Sequence, residues 1–309
     1  MNRLPDTRGL PNRVIVVRSQ RNLYDHAVRA VGVELVEVGI ADRYAGPGVR
    51  DAEAWEIADA IDERTARVFY VAQSQSRPPL AEVVTVAHAA GVPVLVDAAA
   101  QLPPVDNLRR FIDAGADLVT FSGGKALLGP QASGVLCGRR DLIAAAAMHN
   151  LDHDIFFEQW APPPGLIDKA KLRGLPQHGI GRACKAGKEQ IVGLLVALQR
   201  FDQKSMARRN AVCSEHLAAF DMALDSSLPL AVERYETVPG GEPRVRLTLD
   251  ASAPLDAMAL VIALQDGEPS IQLDPFEADR NCVTLIPTAL REGEGATIAR
   301  RIAEVLAPS

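Results

Sequence analysis

Residues 117–134 read DLVTFSGGKALLGPQASG. The apolar run from Leu118 to Phe121 ends in Ser122, after which come two glycines and a single lysine, Lys125. A short run of large apolar and β-branched residues closed by a turn signal predicts a buried strand. The same kind of run recurs as RVIVVR (13–18), VELVEV (33–38), RVFYVA (67–72) and VPVLVD (92–97). Helix-period segments separate these runs: YDHAVRAV (24–31), DAEAWEIADAI (51–61), LAEVVTVAHAA (80–90) and LRRFIDAG (108–115). Strands that are continuously apolar and alternate with helices predict an α/β fold, a mostly parallel sheet covered on both faces.

Past residue 150 the pattern changes. Residues 150–182 are rich in proline and glycine and read as an irregular connection. A long helix is expected from about 185 to 206, continuing into AVCSEHLAAFDMAL (211–224). Beyond 228 the runs LAVERYE, PRVRLTLD, PLDAMALVIALQDG, SIQLD, CVTLIP and ATIARRIAEVLA give the order β–β–α–β–β–α. The expected organisation is a large domain over 1–200 and a smaller α+β domain over 201–309.

The bulk numbers narrow the function. The chain has 309 residues, 48% of them hydrophobic and 23% charged, the composition of an ordinary globular protein. Its net charge of −6 argues against a nucleic-acid partner, whose binding draws on neutralised phosphates. No apolar run is long enough to span a bilayer and no secretory leader is visible, so a cytoplasmic location without membrane contact is expected. The four cysteines, Cys137, Cys184, Cys213 and Cys282, are far apart and suit neither a zinc site nor a disulfide framework. No metal is expected.

Chemistry is expected at the carboxyl ends of the strands, where open α/β sheets gather their ligands. One strand ends in Asp97. Another ends in Ser122, Gly123, Gly124 and Lys125. The interval between Asp97 and Lys125 holds one crossover helix, so the two strands can be neighbours. Pyridoxal phosphate asks for this set: a lysine amine for its Schiff base, an anion beside its pyridine nitrogen and donors for its phosphate. Lys125, Asp97 and Ser122 match those needs in turn, and Gly123 and Gly124 would let backbone approach the cofactor.

The segments VDAAAQLPP and FIDAGADLVTFSGGKALLGPQASGVLCGRRDLI also resemble the fold-type-I pyridoxal-phosphate enzymes of the selenocysteine synthase-like group. That group includes L-seryl-tRNA(Sec) selenium transferase and D-glucosaminate-6-phosphate ammonia lyase. The likeness extends to NRVIVVRSQRNLYDHAVRAVGVELVEVG and HGIGRACKAGKEQIVGLLVALQ, about residues 3–200. It implies the fold-type-I transferase architecture, with Lys125 as the Schiff-base lysine and Asp97 as the partner of the pyridine nitrogen. It further implies Gln101 within reach of the ring oxygen, and Arg182, Lys185 and Lys188 near an anionic substrate or phosphate. Gln20 stands where relatives place a ring that stacks on the cofactor. Relatives also carry a phosphate-cradling segment ahead of the first strand. Here the pattern begins at MNRLPDTRGLPNRVIVV, so the chain is N-terminally short by that resemblance.

The implied activity is elimination from a small amino acid or amino sugar acid, of the ammonia-lyase type, by a homo-oligomer. Transamination, racemisation and β-replacement start from the same attachment and remain open. So does a silent relative that serves as a scaffold.

Overall fold

A computed structural model of the chain describes residues 3–40, 51–151, 154–175, 179–238 and 240–307. The chain divides into two units. Met1–Leu102 with Asp106–Gln199 form the first, and Pro103–Val105 with Arg200–Ser309 form the second.

The first unit alternates as β1 (Arg13–Val17), α1 (His26–Arg29), β2 (Glu34–Val38), α2 (Ala54–Ala60), β3 (Thr65–Val71), α3 (Leu80–Ala89), β4 (Val94–Asp97), α4 (Asn107–Asp113) and β5 (Leu118–Ser122). It closes with β6 (Gly134–Gly138), α5 (Arg140–His149) and α6 (Lys188–Gln199). The strands lie in the order β2-β1-β3-β4-β5-β6. All pairings are parallel except β5 with β6, which is antiparallel. The edge strand β6 was not singled out in the sequence, because GVLCG is only three apolar residues between two glycines.

The register explains why the runs are continuous rather than alternating. Ile15 pairs with Val68, Val68 with Val94, and Val96 with Val119. These five residues are at most 2% exposed. They line the face on which α2 packs against β1, α3 against β3 and β4, and α4 against β5. On the opposite face Val14, Val16, Phe69 and Val71 form their own cluster, with Val28, Val33, Leu35 and Leu95 against it. Each such side chain contributes about 1.5–3 kcal/mol on burial. Both faces need apolar residues, so neighbouring positions are apolar as well.

Buried Asp117 clamps the amino ends of the strands. Its Oδ2 accepts from Val94 N at 2.7 Å and lies 2.8 Å from His88 Nε2, and its Oδ1 pairs with Arg139 Nη1 at 2.9 Å. Burial alone would push this carboxyl up, but the Val94, His88 and Arg139 contacts outweigh it and hold it below the ordinary carboxylate value.

The second unit comprises α7 (Gln203–Ala223), β7 (Leu230–Glu236), β8 (Pro243–Leu249), α8 (Ala257–Gln265), β9 (Cys282–Leu285) and α9 (Glu294–Leu306). Its strands form an antiparallel sheet in the order β7-β8-β9. Strand β8 alternates: Val245, Leu247 and Leu249 are buried, and Arg244, Arg246 and Thr248 face the other way. The core gathers Leu217 and Phe220 from α7, Leu260 and Leu264 from α8, and Ile298 and Ile302 from α9.

Two expectations change here. The long helix is two helices, α6 and α7, because Asp202 caps α7 by accepting from Ser205 N at 2.7 Å and leaves the helical conformation to do so. SIQLD forms no full strand. Asp274 makes an isolated bridge to Thr284 instead.

Candidate active site

The carboxyl edge of the first sheet carries the expected residues. Asp97 is the last residue of β4 and pairs with Thr120 of β5, so Asp97, Thr120 and Ser122 alternate onto the same sheet face. All three are half-buried. Asp97 Oδ1 accepts from Ala99 N at 2.9 Å, which fixes the carboxyl at the turn leaving the strand. Gln101 closes that turn. Its N–H donates to Ala98 O, and its carbonyl accepts from Asn107 Nδ2 at 2.6 Å, tying the turn to the start of α4.

Lys125 follows Ser122 by three residues and is exposed. Its Nζ lies 5.7 Å from the centroid of the Tyr24 ring, a cation facing an aromatic π system. Tyr24 was missed in the sequence, where it read as the first residue of a helix. In the structure Leu23–Asp25 is a single 3-10 turn ahead of α1, held by Asn22 Oδ1 accepting from Tyr24 N. Buried Asp25 is bound on one side by Arg21 and on the other by Arg29 at 3.5 Å. An aromatic in the connection that follows β1 was the available signal.

Gly123 and Gly124 stand where a Cβ would meet other atoms of the chain. A Cβ at Gly123 would lie 2.1 Å from Ser133 Oγ and 2.9 Å from Leu194 Cδ1, and one at Gly124 would lie 2.7 Å from Gln131 Cα. Protein fills that space. The loop folds back on itself, with Gly123 N donating to Ser133 O and Gly129 N to Gly123 O. Helix α6 then seats on it, Gly193 against Pro130 and Leu194 against Gly123. The glycines are there for close packing of the loop that presents Lys125.

Gln20, too, is packed against protein. It is 6% exposed, its Oε1 accepts from Val71 N at 2.9 Å, and its Nε2 donates to Arg77 O at 3.1 Å. Both polar atoms are spent on backbone, and the side chain works as a strut between the ends of β1 and β3. Arg182 lies in the turn Ile180–Cys184, Lys185 follows it, and Lys188 opens α6; all three are exposed. Their link to the site is through α6, which rests on the Lys125 loop.

The donor set can be matched to pyridoxal phosphate by its chemistry. An amine and a carboxylate stand at the ends of adjacent parallel strands, with a serine hydroxyl on the face of the carboxylate. That set suits the ring end of the cofactor: a covalent anchor and a counter-charge.

The comparisons with known proteins agree. Residues 25–157 match the family model described as SelA, L-seryl-tRNA selenium transferase. A Streptomyces sp. protein named 5'-C-glycyluridine monooxygenase-decarboxylase is 30% identical over 318 residues, 99% of this chain and 70% of the relative. The D-glucosaminate-6-phosphate ammonia lyase of Salmonella typhimurium (strain 14028s / SGSC 2262) is 29% identical over 98% of this chain and 73% of the relative. A solved structure of a D-glucosaminate-6-phosphate ammonia-lyase superposes with a TM-score of 0.73 at 28% identity, covering 98% of this chain and 74% of that one. From the strand-end residues, the sheet order and these relatives together, the chain belongs to the selenocysteine synthase-like group of fold-type-I pyridoxal-phosphate enzymes.

Proposed function

We propose that the protein is a pyridoxal-phosphate enzyme that eliminates ammonia from a small amino acid or amino sugar acid. The observation that carries this is the pairing at the sheet edge: Asp97 ends β4, Lys125 follows the adjacent strand β5, and Ser122 shares the face of Asp97. The relatives named as ammonia lyases support the reaction type. When bound, the cofactor supplies an electron sink for the carbanion left by α-proton removal.

The chain's own residues have distinct tasks. Lys125 would hold the cofactor through its ε-amine and, once released by the incoming substrate amine, take a proton from the substrate α-carbon. Asp97, fixed by Ala99 N, would face the pyridine nitrogen and keep it charged. Ser122 would donate its hydroxyl to the phosphate. Tyr24 would cover the Lys125 amine from the solvent side. Arg182, Lys185 and Lys188 would hold the acidic group of the substrate. We also assign the working form as a homo-oligomer. Helix α6 buries none of its residues and exposes Ile191, Val192, Leu195 and Val196, an apolar stripe suited to a second copy.

Adding pyridoxal phosphate to the purified chain should produce an absorbance band toward the visible, and borohydride should fix the cofactor to the peptide containing Lys125. Lys125→Ala should lose both signals. An unchanged wild-type spectrum would remove the reading and leave a silent scaffold. The Streptomyces relative supports a second reaction, oxidative decarboxylation, since its identity of 30% is no lower than the lyase's 29%. Screening amino sugar acids and glycyl nucleosides for ammonia release against oxygen uptake separates the two.

A further inference from the structure

Strand β6 forms one edge of the first sheet, and β2 forms the other. Hydrogen bonds at the two ends of the β5–β6 pairing fix which way each β6 residue turns its backbone. Gly123 N donates to Ser133 O at 2.9 Å, and Arg139 N donates to Asp117 O at 2.8 Å. Between them the antiparallel register is unbroken, with Val119 opposite Cys137 and Phe121 opposite Val135. Hydrogen-bonded positions alternate along an antiparallel pair, so Ser133, Val135, Cys137 and Arg139 turn their peptide groups toward β5. Gly134, Leu136 and Gly138 turn theirs to the open side, where no strand lies beside β6 among the described residues. All three are exposed, Leu136 by 40%.

The other edges of the two sheets are guarded. Strand β2 carries Glu34 and Glu37, paired with Arg13 and Arg18. Strand β7 carries Glu233, Arg234 and Glu236, and β9 is flanked by the bridge from Asp274 to Thr284. Strand β6 has no such device: GVLCG holds no charge, no proline and no bulge. An uncharged edge with outward peptide groups is a template for another strand.

Its own sequence fits that template. About a twofold axis through Leu136, a second β6 laid antiparallel sets Leu136 against Leu136 and Gly134 against Gly138. The nearest charge, Arg139, falls opposite Ser133, so no like charges meet. A two-stranded ribbon this short is marginal in water by itself. The α6 stripe supplies apolar area beside it, because α6 rests on the loop that runs into β6, Leu194 against Gly123 and Gly193 against Pro130.

We propose that a second copy of this chain pairs its β6 with this β6, joining the two six-stranded sheets across an axis at Leu136. The inference rests on the homo-oligomer assigned above and names the strand at which the copies meet.

Hydrogen exchange of the purified protein reads the seam directly. At concentrations where light scattering finds an assembly, the Leu136 amide should exchange about a hundredfold more slowly than a free edge amide. That protection should vanish on dilution to single chains. Leu136→Pro removes the outward N–H and no bond to β5, so association should weaken about thirtyfold, one bond being lost from each copy. Leu136→Lys leaves the backbone alone and sets two ammonium groups on the axis, so it should lower the mass to that of a single chain. A wild-type assembly whose Leu136 amide is unprotected, or one that Leu136→Lys leaves intact, would overturn the seam while the α6 contact stands. Protection that persists unchanged on dilution would belong to the single chain and overturn it too. A wild type that is monomeric throughout would overturn both the seam and the homo-oligomer.

Discussion

Gly123 carries a physical argument that reaches from one missing methyl group to the placement of the reactive amine. Its Cβ position is occupied by Ser133 Oγ on one side and Leu194 on the other, so the loop between β5 and β6 closes only with glycine there. Gly123→Ala should cost about 1–3 kcal/mol in denaturant unfolding through overpacking. Ser133→Ala in the same chain should recover part of that loss, because it removes the nearest clashing atom. The two substitutions should therefore be non-additive, and simple additivity would show that the loop relaxes freely. The strand before Lys125 and the carboxylate at Asp97 were legible in the sequence, since apolar runs and turn residues are local signals. The uses of Gln20 and the two glycines were not. They depend on Val71, Arg77, Ser133 and Leu194, partners that only the folded chain brings close.

At the scale of elements, the sheet is pinned at the end opposite the site. Asp117 joins α3 through His88, β4 through Val94 N and the segment after β6 through Arg139. Its carboxyl is held below the ordinary value in the folded chain, so the unfolded chain binds its proton more readily. Stability from this group is therefore fully present above the unfolded value of about 3.9 and is lost as pH falls through the lower folded value. Asp117→Asn keeps an acceptor for Val94 N but discards the charge that Arg139 and His88 face. It should lower stability at neutral pH by roughly 3 kcal/mol. It should also flatten the acid limb of a stability–pH curve, because one titrating carboxylate has gone. A variant as stable as wild type at neutral pH, with the same acid limb, would show that the clamp contributes nothing. Arg139 also pairs with Asp141 at 2.7 Å, so the variant leaves that cation with a partner and the measured loss reports mainly on Asp117.

For the whole molecule, the parallel sheet could be read because both its faces are covered, which imposes continuous apolar runs. The two-helix break near Asp202 could not, since a capping aspartate inside a helical period is invisible until the backbone turns. Helix α6 poses the remaining question at this scale. Its inner positions, Gly193 and Leu194, press on the Lys125 loop, and its outer positions Ile191, Val192, Leu195 and Val196 are 51%, 59%, 54% and 43% exposed. Large apolar side chains one turn apart on an exposed helix form a contiguous patch, which favours association over solvation. If a second copy covers this stripe, Val192→Asp with Leu195→Asp should lower the mass measured by light scattering to that of a single chain. Neither side chain is buried in the single chain, so its own core should be spared and far-ultraviolet circular dichroism should not change. Because α6 supports the loop that presents Lys125, the separated chain should also bind pyridoxal phosphate more weakly, with its absorbance band appearing only at higher cofactor concentration. A doubly charged variant that keeps the mass of an assembly would assign the stripe no part in self-association. A wild-type chain that is already monomeric would remove the homo-oligomer outright.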